Sequence, residues 1–498
     1  MAEALEDEKD WKRLARFDEA GGFYALETRD LQAPVRLFLS DRLLTEAEPG
    51  LYRQIVNATR FPRTRLVVIT PDVHYGYGVP VGCVILTERE AGAVAMGPVG
   101  FDIGCGMVSA RSDVPAEAAT HDRKLAFHRE VMARVPLGPG GASGRAGAIG
   151  KRAFEDIVRG GAEHYLATRG SSVDHGSAER DRIPVPDDWT IPWGGPGEPE
   201  RGLVQLGTLG GGNHFIELQR CEETETLFVQ LHTGSRGFGH GLATNYFAMA
   251  RDEHPERSAD IDCGYFEPGS PHYDSYLGAV AAGGNYAIVN RLMIFEAVAE
   301  AFEKVFKAEL ELVYEISHNL VQHEFHDEFG EVLVHRKGAT RALPAGHPQL
   351  AGTRWMETGH PVLIPGSNRD ASFILRPLAG ARKSGYSVNH GAGRRLSRGQ
   401  ATKLLSQDKV NEQYRADGIL VNLDGEVPLD EAGACYKPAQ EVVDVVTGAG
   451  LAEIERTLWP LGSIKDHEGV RRRDLGRARR AKERDRDLER AAARRRRS

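Results

Sequence analysis

Apolar residues at Ile288, Leu292, Phe295, Val298, Phe302 and Val305 recur at helical spacing, and this pattern predicts one long core helix from about 287 to 312. A shorter helical pattern covers 154–165. Short aliphatic and β-branched runs at 66–69, 82–86, 227–231, 332–335 and 362–364 predict strands, several of which end at a polar cluster. Glycine-rich turns follow these runs and favour many short connections over a helical bundle. Residues 136–150 and the Pro/Gly/Trp-rich stretch 184–199 predict long loops. The polar motifs span residues 72 to 437 and need one another. The loops are therefore expected to be insertions within one large α/β domain, with mixed sheets flanked by helices.

Composition narrows the setting. The 498 residues are 41% hydrophobic and 27% charged, enough to bury a sizeable core. No run approaches the roughly 18 apolar residues of a membrane span, and residues 1–16 lack the apolar centre of a signal peptide. Five cysteines at 83, 105, 221, 263 and 435 follow no disulfide spacing, so a cytoplasmic location is expected. The net charge of −8 is uneven: residues 471–498 carry fourteen Lys and Arg against five Asp and Glu. That basic tail on an acidic body reads either as a phosphate-neutralising arm or as a solvated extension.

Candidate chemistry begins at 100–107, where Asp102 and Cys105 stand three apart among glycines, able to aim a carboxylate and a thiol at one point. The glycine loop 207–212 leads into Asn213-His214-Phe215-Ile216-Glu217. If this stretch is extended, Asn213 and Glu217 share one face and His214 takes the other. His232 ends an apolar run beside the loop 233–237, which contains Arg236, and His318 follows the long helical pattern. Any one of these histidines alone reads more readily as a core residue than as a ligand. Asp102, Cys105, His214, His232 and His318 together offer five ligands for one metal ion or for two sharing a thiolate, and the mixed donor set fits Mn or Zn better than Mg or Ca.

Two further clusters are built for anions. Residues 335–341 place Arg336, Lys337 and Arg341 around a glycine. In 387–398, His390 is followed by Gly391-Ala392-Gly393, leaving room at its ring, with Arg394 and Arg398 beyond. His390 is a candidate for a nucleophile forming a phosphoramidate, for a general base or for a third metal ligand.

On these blocks, together with residues 71–78, the chain resembles the RtcB-type RNA ligases from about 35 to 465. The resemblance implies a single fold of that type and a GTP- and Mn-dependent joining of RNA 3'-phosphate or 2',3'-cyclic phosphate ends to 5'-hydroxyl ends, in tRNA splicing or RNA repair. It implies guanylylation of His390, an RNA 3'-guanylate, and two Mn ions held by Asp102, Cys105, His214, His232 and His318. It assigns Asn213 to phosphate and Glu217 and Lys437 to guanine, with Ser367, Gly391, Ala392 and Gly393 also at the nucleotide. Asp72 matches an active-site aspartate, Arg236, Lys337, Arg394 and Arg398 are expected to hold RNA phosphates, and an archease-type activator is a possible partner. Three departures stand out: Asn368-Arg369-Asp370, where the family usually reads Met-Gly-Thr; Ala432 to Cys435, where a proline is common; and the basic tail. Residues 1–34 are expected to form an N-terminal extension, 35–465 the catalytic domain and 466–498 the tail. Two other readings stay open, a metal phosphohydrolase that opens cyclic phosphates without joining ends, and a non-catalytic RNA-binding factor that uses the tail.

Overall fold

The computed structural model describes residues 5–142, 146–169, 183–255 and 263–466. The basic tail lies outside them. Two sheets dominate. The smaller has seven strands, in the order Ala15–Asp18, Phe23–Leu26, Val35–Leu37, Thr64–Tyr77, Val79–Glu88, Gly330–Lys337, Asn319–His326. Residues 66–73 of its central strand are all buried, which explains why 66–69 reads as an unbroken apolar run rather than as an alternation. The segment 1–34 contributes the strands Ala15–Asp18 and Phe23–Leu26 to this sheet, paired antiparallel with each other and onward to Val35–Leu37.

The larger sheet has eight strands. Seven run in the order Glu311–Ser317, Gly106–Pro115, Thr226–Thr233, Phe215–Cys221, Ala452–Ile464, Ser372–Pro377, Val362–Ile364, and Leu420–Val421 pairs parallel with Ala452–Ile464. Each predicted strand lies within one of these elements. His318 is the one residue between Glu311–Ser317 of the larger sheet and Asn319–His326 of the smaller. It marks the seam where the sheets meet.

The long helix runs Tyr273–Phe306, so the predicted bounds of 287 to 312 are corrected at both ends. It begins earlier because Gly278 to Gly284 is a run of small, buried residues that lets the helix press against its neighbours without presenting large apolar side chains. Gly104 needs this closeness: it has φ +72, and a Cβ there would lie 2.8 Å from Gly284 Cα. The helix ends where Lys307 turns left-handed, and Leu312 then belongs to a strand. The predicted helix 154–165 extends to Lys151–Arg169 and breaks at Gly161. The loop from 183 onward packs down through Trp189, whose indole N–H donates to Ser275 O at 2.9 Å. All five cysteines are buried. Among the described residues, no helix is long and apolar enough to cross a membrane.

Candidate active site

Strand register brings distant ligands together at the seam. Gly106, next to Cys105, pairs with Thr233 on one side and Ser317 on the other, so Cys105, His232 and His318 become neighbours. Cys105 Sγ lies 3.1 Å from His232 Nε2 and 3.6 Å from His214 Nε2. His214 Nε2 is 3.0 Å from Asp102 Oδ2, and His232 Nε2 is 3.3 Å from His318 Nε2. The donor atoms form two groups, Cys105/His232/His318 and Asp102/Cys105/His214, with the atoms of each within 4.8 Å of one another and Cys105 common to both. Asn213 and Glu217 line one cavity while His214 does not, the expected separation, although the extended run begins later than expected. The strand starts only at Phe215, and the preceding turn swings His214 onto the thiol.

The chemistry of this donor set fits a soft-to-borderline divalent metal. His214 Nδ1 and His232 Nδ1 are engaged by the Leu209 and Asn213 carbonyls, at 2.9 and 3.2 Å, which leaves each Nε2 lone pair for coordination. Burial holds His232 and His318 far below the usual imidazole range, so both are neutral ligands. Burial would raise Asp102, but the hydrogen bond and charge of His214 keep its carboxyl well below the ordinary range. Burial and the Asp102 charge push the Cys105 thiol far up, so a metal must displace its proton on binding.

One cation ties the ligand-bearing segments together from behind. Arg291, fully buried on the long helix, donates to Gly104 O at 2.5 Å, Thr233 O at 3.1 Å and Ser317 Oγ at 2.7 Å, with buried Glu315 as counterion. Each of these three acceptor residues adjoins a ligand: Cys105, His232 or His318. Asn290 beside it accepts from Gly207 N and donates to Thr208 O and Gly234 O.

His390 follows the short strand Ser387–Asn389, which pairs with Ala339–Arg341. Its Nδ1 lies 2.7 Å from Asp72 Oδ2, which also accepts the backbone N–H groups of His390 and Gly391 at 3.1 and 3.3 Å. Thr70 Oγ1 donates to the other Asp72 oxygen at 2.6 Å. Asp72 is fully buried. Burial opposes its charge, but the charge and hydrogen bond of His390 prevail and hold it ionised. Its oxygen thus accepts the Nδ1–H hydrogen bond and leaves the His390 Nε2 lone pair free. The ring packs 4.9 Å from that of His318 and lies over Gly338, where a Cβ would sit 2.9 Å from Cε1.

A cavity of about 500 Å³ opens onto both groups, a volume within the range of small-ligand sites. Asp102, Cys105, His232 and His318 line it, as do Asn213, Glu217, Ser367, His390, Gly391, Ala392 and Gly393, and the cations Lys337, Arg394 and Arg398. His214, Asp72 and Arg236 stand behind its wall. Arg236 donates to Thr208 Oγ1 and Gly138 O. Lys437 is not at the wall either: its ammonium donates to the carbonyls of Pro71, at 3.1 Å, and Val73, bracketing Asp72. The lysine that lines the cavity beside Glu217 is Lys465, carried there because Ser463 pairs with Glu217 in the sheet. Burial pushes Glu217 up to about 7, against the opposing pull of Gln219 and Lys465.

Behind Lys465, Arg394 and Arg398 sits one buried carboxylate, Glu431. It meets Arg394 at 3.2 Å, Arg398 at 2.7 Å and Lys465 at 3.1 Å, and accepts from Tyr436 OH. The departure at 368–370 turns its charges away from the cavity: Arg369 pairs with Asp417, and Asp370 accepts from Ser367 Oγ at 3.0 Å. Asn368 does line the cavity and accepts from Tyr414 OH.

The family model described as tRNA-splicing ligase RtcB matches residues 54–466. The chain belongs to the RtcB family. The tRNA-splicing ligase RtcB of Thermococcus kodakarensis is 32% identical over 471 residues, covering 87% of this chain and 95% of the relative. That of Pyrobaculum aerophilum is 34% identical over 472 residues with the same coverage. The RNA-splicing ligase RtcB of Mycobacterium tuberculosis is 33% identical over 442 residues, 83% of this chain and all of the relative. Within this RtcB chain, sequence reasoning missed Arg291, Glu431 and Lys465. Only Arg291 left a signal, a charge in the middle of an apolar helical pattern.

Proposed function

We propose that the chain is a GTP- and Mn-dependent RNA ligase joining 3'-phosphate or 2',3'-cyclic phosphate ends to 5'-hydroxyl ends, in tRNA splicing or RNA repair in the cytoplasm. The observation that carries this reading is His390, whose Nδ1 is locked to a buried carboxylate while its ring packs against His318 of the ligand cluster. A general base or metal ligand would not need a loop of Gly391-Ala392-Gly393 beside it; a nucleophile receiving a bulky phosphoryl group does.

In the first step His390 Nε2 attacks the α-phosphorus of GTP, an N–P bond forms, and pyrophosphate leaves. An oxygen of the RNA 3'-phosphate then attacks the same phosphorus, releasing His390 and giving an RNA 3'-guanylate. The 5'-hydroxyl displaces GMP from that activated end, losing its proton as the phosphodiester forms. A cyclic phosphate is first opened by water. Asp72 keeps the His390 proton on Nδ1 throughout. Asp102, Cys105, His214, His232 and His318 would hold two Mn ions, which when bound polarise phosphoryl oxygens and offset developing charge. Lys337, Arg394 and Arg398 face the same cavity and suit RNA phosphates. Glu217 and Lys465 form an acceptor and a donor for the guanine edge, the role that the resemblance gave to Lys437.

Residues 35–465 are the proposed catalytic unit, with 1–34 adding two strands and 466–498 forming the tail. An archease-type protein is a proposed activator. The phosphohydrolase reading drew on the altered 368–370 stretch, and the outward pairing of Arg369 removes much of that motive. The test is incubation with α-phosphate-labelled GTP and Mn. An acid-labile covalent label on the wild type that is absent from His390→Ala is expected; no label, or a label that survives the substitution, overturns the proposal.

A further inference from the structure

At the mouth of the cavity, two aromatic rings stand in water on a backbone that is held from every side. Tyr75 and Tyr77 line the cavity and are 57% and 70% exposed. They are two residues apart near the end of the strand Thr64–Tyr77, both exposed on either side of the buried Gly76. Gly76 between them is buried, and both prongs of the buried Gln54 amide grip it: Nε2 donates to Gly76 O at 2.8 Å and Oε1 accepts from Gly76 N at 2.9 Å. Tyr75 N donates to Glu48 at 2.8 Å, Lys337 Nζ donates to Tyr77 O at 2.9 Å, and Asn57 donates to Gly78 O at 2.9 Å. The Tyr75 ring lies over Gly50, where a Cβ would come within 2.8 Å of its edge.

Folding alone gives no reason for this arrangement, since the exposed ring surface forgoes the burial that normally stabilises an aromatic. A rigid backbone presenting two rings loses little entropy when a flat partner settles on them. Unpaired nucleic-acid bases are such partners, and they stack on aromatic faces whatever their sequence. The same cavity holds His390 and the cations Lys337, Arg394 and Arg398, which suit phosphates.

We propose that Tyr75 and Tyr77 form a stacking platform for the unpaired bases of the RNA strand whose terminal phosphate enters the cavity. This rests on the ligase reading and deepens it: the substrate is a single-stranded end, held by its bases at the rim and by its phosphate inside, with little preference for base identity. A flush duplex end offers only the outer face of its terminal pair, with no second unpaired base for the platform.

The test uses a short single-stranded RNA that ends in 2-aminopurine bearing a 2',3'-cyclic phosphate, and compares the wild type with Tyr75→Leu/Tyr77→Leu. Both positions are exposed, so the double variant is expected to fold. Wild type should quench the terminal fluorophore by stacking. The double variant should lose the quenching and bind the RNA at least about fivefold more weakly, the lower end of the loss of one base stack. Tyr77→Trp should keep both, and the slope of affinity against salt should stay unchanged because no phosphate contact is removed. Labelling of His390 by GTP, which uses no RNA, should proceed in the double variant as in the wild type. Equal quenching and affinity in the double variant overturn the platform, as does loss of His390 labelling, which would make the tyrosines part of the cavity's shape. Absence of His390 labelling in the wild type with quenching intact overturns the ligase reading and leaves the platform standing.

Discussion

Exchanging Arg291 for methionine deletes the guanidinium that bonds the residues next to Cys105, His232 and His318, and it strands Glu315 in the interior. Both partners of the ion pair have side chains with no exposure. Breaking such a pair costs about 3–5 kcal/mol, because an uncompensated charge remains buried. The carbonyls of Gly104 and Thr233 lose a donor as well, at roughly 1 kcal/mol each. The single variant therefore loses a large share of the 5–15 kcal/mol typical of a folded chain. Arg291→Met/Glu315→Leu removes both charges together, and such apolar replacements are often close to neutral. The double variant is expected to recover the ion-pair loss, to stay roughly 2 kcal/mol below wild type for the two carbonyls left without a donor, and to bind metal about 10–100-fold more weakly, the usual effect of losing support behind metal ligands. Co²⁺ titration followed by thiolate-to-cobalt absorption measures this, with urea unfolding of the metal-free protein in parallel. A double variant that folds and binds Co²⁺ as tightly as wild type would refute the idea that Arg291 sets the ligand spacing.

Three other outcomes follow from the site. Asp72→Ala removes the acceptor that holds the proton on His390 Nδ1 and lets the tautomer with the proton on Nε2 form; His390 labelling by GTP should slow by roughly 10²–10⁴-fold, by analogy with the histidine–carboxylate pair of serine proteases, and a near-normal rate would remove Asp72 from the mechanism. Lys465→Met should raise the Kd for GTP about tenfold, the order expected for one charged hydrogen bond, whereas Lys437→Met should spare GTP affinity and slow labelling through Asp72; equilibrium binding beside single-turnover labelling separates the two, and the reverse pattern would restore Lys437 to the guanine. Glu217 ionises near 7 in the folded chain against an ordinary 4.5, so the folded state holds the extra proton between those values, and its contribution to stability is full below 4.5 and lost as pH rises through 7. GTP binding to the ionised carboxylate has the opposite sign: affinity should rise by up to about tenfold per pH unit below 7 and level off above it, and calorimetry that detects no proton release at pH 6 would exclude that role.

The donor cluster and His390 were legible in the sequence as residues of one site because they sit where regular structure ends. Asp102, Cys105, His214 and His232 flank glycines at strand termini, and polar side chains in such places have few structural uses. The strands at 66–69 and 332–335 were legible for the opposite reason, as apolar runs with both faces covered. The start of the long helix was hidden, because its first turns use Gly and Ala where a periodicity search weighs large side chains. Lys465 could not be told from Lys437 by local pattern. Which ammonium reaches Glu217 is decided by the register of Ala452–Ile464 against Phe215–Cys221, a pairing across more than two hundred residues of chain. Glu431 was silent for a similar reason: a buried carboxylate answering three cations has no signature until those cations are placed around it.

The strand Ala452–Ile464 lies between Phe215–Cys221 and Ser372–Pro377, and Lys465 follows it directly. During synthesis, the larger sheet stays split into two halves until this stretch has left the ribosome. A nascent chain stopped before it would carry every metal donor and His390, yet would lack both the staple that joins the halves and the ammonium opposite Glu217. Assembly of the proposed nucleotide site is thereby deferred to the end of translation, and a chain cut short near residue 450 would carry the candidate metal donors without the lysine proposed for GTP.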